Sequence, residues 1–228
     1  MDTLRKLQQF TINIDDNTIN VNNRRDNISH VVDKIETIYK PSANNSLLWC
    51  VISMVNGVNQ CVDNMGIEFK YETEFKYKQV DLMRDNYQDI KYNGMDPLEV
   101  ETSFISDKKT SFNALHALCI CHKLSVIYVD KNTYINLIYG EDNKHIITNV
   151  NGKYTVEYNA SIDHIASTCK HKYHITNIKK PIKGIGSYKV GELRTMCDEL
   201  GIVTSFTSDG KNKPKIVLYG EIRSYIMV

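Results

Sequence analysis

The sequence lacks the long apolar segments and cysteine patterns that define membrane and secreted proteins. No run approaches the roughly 18 consecutive apolar residues that a membrane-spanning helix requires. The opening residues, Met1 to Lys6, contain no apolar segment of the kind found in signal peptides. The six cysteines show no spacing typical of a disulfide framework. These absences predict a protein that is neither secreted nor transmembrane and that works in a reducing compartment.

Several nucleotide-binding and catalytic signatures are absent as well. The sequence contains no Walker loop, no dinucleotide fingerprint and no paired-carboxylate motif. We therefore expect no cofactor. The formal net charge is +1, so the balance of the whole chain identifies no partner. A length of 228 residues is enough for one large domain, or for a domain with a small module attached.

The stretch from Thr110 to Tyr158 predicts the fold class. Ser111 is a helix N-cap candidate, and a helical face follows it at Phe112, Leu115, Leu118, Cys119 and His122. Segments of strand length then cover residues 125–130, 133–139, 145–150 and 153–158. Asn151-Gly152 predicts a two-residue turn between the last two, because both turn positions need φ > 0. A helix followed by a meander predicts an α+β fold, with helices packed on a small antiparallel sheet.

The rest of the chain divides into four predicted segments. They are an N-terminal arm (1–40), an α+β core domain (41–178), a linker rich in lysine and helix breakers (179–186), and a small helical module (187–228). In the arm, residues 10–21 are predicted to form a hairpin, and apolar spacing from Ile28 to Ile38 predicts a short helix. In the core, Phe69 to Lys78 mixes charges and aromatics and fits either a charged helix or an edge strand.

The C-terminal segment has the clearest functional pattern. One predicted helix carries an apolar face at Val190, Leu193, Cys197 and Leu200, and Gly201 stands where a helix stop belongs. An extended stretch follows, and Pro214 marks the start of a second helix that buries Leu218, Ile222 and Tyr225 or Ile226. Residues 179–228 contain nine basic and five acidic residues, so the positive charge of the chain is concentrated at this end.

This helix–extension–helix pattern resembles the SAP family of small DNA-binding modules. The matching segments are Tyr188-Lys-Val-Gly-Glu-Leu-Arg194, Leu200-Gly-Ile202 and Gly210-Lys-Asn-Lys-Pro-Lys215 with Leu218-Tyr219. The resemblance implies weak binding to duplex DNA through its phosphate backbone. The candidate phosphate contacts are Lys189, Arg194, Lys211, Lys213, Lys215 and Arg223.

The chain from about residue 40 onward also resembles a group of uncharacterised proteins of nucleocytoplasmic large DNA viruses. The matching segments are Asn45-Ser-Leu-Leu-Trp-Cys50, Ala117-Leu-Cys119 before the strand pair that starts at Val126, and Lys180-Pro-Ile-Lys183. This resemblance implies a giant-virus protein located in the cytoplasmic viral factory or in the virion. It implies no activity.

An alternative interpretation is a cysteine hydrolase. Cys50 lies near the start of a predicted helix, where the helix dipole favours a thiolate, and papain-like and OTU-like proteases place their nucleophile in this way. His145 opens a later predicted strand and is the candidate base, and Asn149 is the candidate residue to orient it. The competing interpretation is a buried helix cysteine and a surface-strand histidine.

The sequence also contains possible metal ligands. Cys169, His171 and His174 have ligand types at plausible spacing, and a further set could complete the site: Cys119, Cys121 and His122. Against this, Cys119 falls at a predicted core position, and residues 170–174 form a polar run typical of a solvated surface. We therefore expect no metal.

The leading hypothesis is a viral, non-enzymatic protein that binds duplex DNA weakly through residues 187–226, while the N-terminal domain serves assembly or attachment. The second hypothesis is a cysteine hydrolase, built on Cys50 and His145 and targeted by the C-terminal module. The third is a structural component of the virion, a minor capsid or core protein, whose module binds other viral proteins. The sequence does not determine the oligomeric state.

Overall fold

The computed structural model describes residues 38–141, 143–206 and 210–227. In this part of the chain, α-helices pack on a six-stranded mixed sheet, which confirms the predicted α+β class. The predicted hairpin over residues 10–21 and nearly all of the predicted arm lie outside the described residues. From Ile38 onward, the described residues form one compact unit.

The helices and strands have the following bounds. The α-helices are α1 (Ser46–Asn56), α2 (Val58–Asp63), α3 (Glu68–Asp85), α4 (Tyr87–Tyr92), α5 (Pro97–Ser106), α6 (Phe112–Cys121), α7 (Ile162–Cys169), α8 (Val190–Leu200) and α9 (Lys215–Met227). The strands are β1 (Ile38–Tyr39), β2 (Ser125–Asp130), β3 (Thr133–Ile138), β4 (Lys144–Val150), β5 (Lys153–Glu157) and β6 (Tyr173–His174).

The strand order is β1-β5-β4-β2-β3-β6, so the predicted meander is wrong in one connection. β4 pairs in parallel with β2, with Ile127 opposite Ile146, instead of pairing antiparallel with β3. The reason is the composition of β2, which is apolar at successive positions and buried on both faces. Such a strand belongs at the centre of a sheet covered on both sides, so β3 and β4 lie on opposite sides of it.

The two faces of β2 lead into two apolar clusters. Val126 and Tyr128 belong to the main core, which α1 and α6 help to form. Ile127 and Val129 point to the opposite face, where Ile165 of α7 packs against them. The sheet is therefore a layer between helices, with the larger core on the α1 and α6 side.

Local signals account for the helix starts around this core. The Ser111 side chain accepts a hydrogen bond from the Ala114 amide, so α6 begins where the sequence predicts. Asp96 caps α5, and Pro97 occupies its first turn. The run from Phe69 to Lys78 lies within α3, so the helical interpretation of that stretch is the correct one.

The end of the predicted N-terminal helix is instead a strand. Ile38 and Tyr39 form β1 and pair with Glu157 and Val156 of β5. Without them, β5 would expose an unpaired edge. Residues 38–39 therefore belong to the core sheet, and the helix predicted from Ile28 does not extend to Ile38.

The C-terminal module has the predicted two helices and its own small core. α8 ends at Gly201, which has φ 73°, and α9 follows directly after Pro214. Their shared core consists of Leu193, Cys197, Leu200, Leu218 and Ile222, with Tyr225 and Ile226 partly buried against it. The linker before it is irregular apart from a 3₁₀ turn at Ile185–Ser187.

Hydrogen bonds attach this module to the core domain. The Asn132 side-chain amide donates to the Tyr225 carbonyl at 3.0 Å, and the Tyr225 hydroxyl donates to the His171 carbonyl at 2.8 Å. The Tyr173 hydroxyl donates to the Pro181 carbonyl at 3.1 Å, which anchors the start of the linker. The module is thus held against the end of the sheet formed by the β2–β3 turn and β6.

Among the described residues, no helix is both long enough and apolar enough to cross a lipid bilayer.

Two glycines allow a matched test of this backbone. Gly152 has φ 78° in the two-residue turn between β4 and β5, as the Asn151-Gly152 pair predicts. Gly220 lies inside α9, and a methyl group added there would meet no atom within 4 Å. Gly152→Val should lower the free energy of unfolding by more than about 1 kcal/mol, whereas Gly220→Ala should raise it by about 0.5–1 kcal/mol. Urea denaturation measures both changes, and a neutral Gly152→Val variant would contradict the turn assignment.

Candidate nucleic-acid interface

Cys50, the candidate nucleophile, is sealed inside the main core. Its residue exposure is 0 %, and burial, with a smaller contribution from Cys61, raises the pKa of its thiol far above the ordinary value. No histidine among the described residues hydrogen-bonds to it. A reactive cysteine needs a thiolate and access to substrate. The helix-dipole argument is therefore outweighed here by desolvation.

The candidate partners of Cys50 have other surroundings. The His145 ring packs edge-on against Tyr158, with ring centroids 5.7 Å apart, and its buried Nδ1 has no hydrogen-bond partner among the described residues. The Asn149 side chain donates to Asp130 and accepts from the Gly152 amide. Four residues along one strand separate Asn149 from His145 by about 13 Å. Asn149 therefore supports the turn and does not orient the histidine.

Alkylation tests the state of Cys50. In the native protein, iodoacetamide should modify the partly exposed Cys121 and Cys169 first, and Cys50 only after unfolding, because its thiol is buried and protonated. Peptide mass spectrometry after timed quenching gives the order of reaction. Fast, selective alkylation of Cys50 near neutral pH would instead support the hydrolase interpretation.

The possible metal ligands do not come together. Cys119 is fully buried in the main core, His174 stacks on Tyr134, and His171 Nδ1 lies 3.1 Å from the Glu199 carbonyl. No group of three histidine, cysteine, aspartate or glutamate side chains in the described part of the chain could hold a metal ion.

The charged side chains of the C-terminal module divide into two sets. Lys213 belongs to the first, because its ammonium group is already engaged. It lies 2.8 Å from Glu221 Oε1, donates to the Val203 carbonyl at 2.7 Å, and leaves only 12 % of its side chain exposed. Although the sequence marks Lys213 as a phosphate contact, its position makes it a structural link between the extended stretch and α9.

The second set forms a basic edge on α9. Lys215, Tyr219 and Arg223 follow one another at four-residue spacing, which makes them neighbours along one side of the helix. The Tyr219 hydroxyl donates to the Lys183 carbonyl at 2.9 Å, which brings the linker alongside this side of α9. Within the described residues, Lys183, Lys215 and Arg223 form no ion pair with a carboxylate. We call these residues, with Tyr219, the basic edge.

The other candidate contacts, Lys189, Lys211 and Arg194, have different surroundings. Lys189 is exposed before α8, where its backbone amide donates to Glu192. Lys211 is exposed where the backbone pairs with Phe206. Arg194 is half-buried, and its Nε is buried without a hydrogen-bond partner among the described residues.

Sequence reasoning missed Lys183 as a member of the group. The four-residue spacing of Lys215, Tyr219 and Arg223 is visible in the sequence. The approach of Lys183 is not visible, because it depends on the path of the linker across α9.

Comparisons of this chain with protein families, curated proteins and solved structures found no match.

Stability measurements separate the two sets of lysines. Lys213→Ala should lower the free energy of unfolding by about 1–2 kcal/mol, because it leaves Glu221 and a carbonyl without their charged donor. Lys215→Ala should change it by no more than about 0.5 kcal/mol, since a cation in the first turn of a helix adds little stability. Equal effects of the two variants in thermal or urea denaturation would contradict this division.

Proposed function

We propose that this protein binds duplex DNA weakly through phosphate contacts made by the basic edge of its C-terminal module. The observation that carries the proposal is the hydrogen bond from Tyr219 to the Lys183 backbone carbonyl, which brings Lys183 to the side of α9 that carries Lys215 and Arg223. These three basic residues have no carboxylate paired to them among the described residues, and such a surface attracts a polyanion.

The chemistry of the edge favours affinity without sequence preference. Lysine and arginine side chains that contact phosphate position a protein on DNA but do not read the bases. Three contacts correspond to a dissociation constant of roughly 10⁻⁴ to 10⁻⁶ M at physiological salt, the range of non-specific binding. Lys189 and Lys211 are exposed in the same module.

The described geometry gives less support to the hydrolase alternative, because the Cys50 thiol is buried and has no histidine bonded to it. In keeping with the resemblance to giant-virus proteins, we propose that the DNA is viral and that the core domain attaches it to the factory or the particle.

The salt dependence of binding tests the proposal. Each neutralised phosphate contributes about −0.9 to the slope of log affinity against log salt, so three contacts give a slope near −3. The variant Lys183→Gln/Lys215→Gln/Arg223→Gln should weaken binding alike on unrelated duplexes and bring the slope close to zero. Fluorescence anisotropy of labelled duplexes, measured from low to physiological salt, gives both quantities.

A charge-matched control excludes a general effect of net charge. The variant Lys78→Gln/Lys91→Gln/Lys109→Gln removes the same formal charge from exposed positions of the core domain. It should retain nearly all of the affinity and the slope. If the two triple variants bind equally well, or if the unmodified protein shows no binding at low salt, the proposal is wrong.

A further inference from the structure

A polar cleft of about 810 Å³ lies between helix α6, strand β3 and the segment that leads into the linker. Its volume lies within the range of small-molecule sites in proteins. Tyr92 and Asn93 form part of its rim, His116 and Tyr139 line its interior, and Lys179 stands where the segment leaves toward the module. No residue of this cleft takes part in the proposed duplex contacts.

A chain of hydrogen bonds inside the cleft fixes the proton of a buried histidine. The Tyr139 hydroxyl donates its single hydrogen to Asn93 Oδ1 at 2.9 Å. The same hydroxyl oxygen also hydrogen-bonds to His116 Nε2, and it must accept in that bond. His116 Nε2 therefore carries the ring proton. His116 Nδ1 is then a lone-pair acceptor, and it is buried without a partner among the described residues.

Burial keeps this histidine neutral. His116 is 6 % exposed, and desolvation lowers the pKa of its imidazole to about 4. Its Nδ1 has no accessible surface, so a molecule in the cleft does not reach that atom. His116 instead fixes the Tyr139 hydroxyl group in the cleft lining, and it stays uncharged beside a ligand.

The remaining lining consists of groups that hydrogen-bond and stack. Asn113, Asn136 and Asn177 are exposed in the cleft and offer both donors and acceptors. Asp96 and Glu99 add carboxylate acceptors. Tyr92 is 92 % exposed, and its ring provides a flat aromatic surface at the rim. Amides around an aromatic surface are the groups that recognise unstacked nucleobases.

The cleft and the basic edge are joined by a short stretch of chain. Lys179 lines the cleft, and Lys183 lies against Tyr219 in the basic edge. Four residues span at most about 14 Å, so the two sites are within that distance along the linker. Lys180 lies between them and is exposed. A strand whose phosphates contact the basic edge can therefore reach the cleft.

We propose that this cleft binds an unstacked nucleobase of a single strand of nucleic acid, held by the side-chain amides of Asn113 and Asn136. The path of the strand from the basic edge to the cleft rests on the proposed binding of DNA by that edge, whereas recognition of the base does not. The strand enters past Lys179, since Asp96 and Glu99 repel phosphate.

The acceptors of the cleft determine which bases bind. As carboxylates, Asp96 and Glu99 can only accept hydrogen bonds. Cytosine, adenine and guanine carry an amino group with two hydrogens to donate, whereas thymine has only its ring N3–H. The cleft therefore prefers amino-bearing bases to thymine.

Titration of the full-length protein with deoxynucleoside monophosphates tests base recognition apart from the basic edge. Deoxycytidine or deoxyadenosine monophosphate should shift the His116 ring resonances in NMR spectra, with saturation by about 10 mM. Thymidine monophosphate should bind about tenfold more weakly. Asn113→Ala/Asn136→Ala should reduce the affinity for the first two by about tenfold or more. The matched control Asn44→Ala/Asn59→Ala, at exposed positions outside the cleft, should leave it unchanged.

A short oligodeoxycytidine tests the strand route. It should bind at least about tenfold more tightly than the monophosphate, and Lys183→Gln/Lys215→Gln/Arg223→Gln should abolish that gain while leaving the monophosphate affinity unchanged. If no monophosphate shifts His116, if thymidine binds equally well, or if the asparagine variant has no effect, the cleft assignment is wrong even when duplex binding persists. An oligonucleotide that binds no tighter than the monophosphate would overturn the assignment to a strand.

Discussion

The parallel pairing of β2 with β4 is the interaction on which the rest of the structure depends. Because β2 is apolar on both faces, it must lie between other strands and between helices on both sides of the sheet. This places β3 on the opposite side of β2, where its outer edge accepts β6. β6 ends at His174, and the chain then continues along the cleft into the linker. The position of the C-terminal module thus follows from the placement of one strand.

The position of the module determines which of its basic side chains are engaged within the fold and which are left for a ligand. Tyr225, at the end of α9, is held by Asn132 and by the His171 carbonyl, so one side of α9 is fixed against the core domain. Glu221, on another side, holds Lys213. Lys215 and Arg223 lie on the remaining edge with Tyr219, which contacts the linker. The linker in this way adds the charge of Lys183 to the two charges that α9 carries on this edge.

The caps and turns of the fold were predictable from the sequence, and the pairing of the strands was not. Ser111, Gly201 and the Asn151-Gly152 turn act through their own backbone neighbours, so their positions agree with the prediction. The partner of β4 depends on which strand is buried on both faces, and nothing within β4 itself reveals this. The apolar spacing predicts a helix at Ile38, because the edge of β5 that this residue covers is remote in sequence.

The same limit applies to the candidate sites. Lys213 and Lys215 look equivalent in the sequence, and only the fold shows that Glu221 holds one of them. Cys50 occupies the helix position expected of a nucleophile, but the burial that raises its pKa comes from the packing of the whole core. The link between His116, Tyr139 and Asn93 joins three distant segments, so no sequence motif announces it.

The most direct test of the central claim, that the basic edge is the DNA-binding surface, is a ¹H–¹⁵N NMR titration of the full-length protein with a short duplex at low salt. The account predicts that the amide shifts concentrate at Lys183 and along α9 from Lys215 to Arg223, and fade as salt is added. Shifts centred on α3 or α5 instead, or no shifts at low salt, would contradict it.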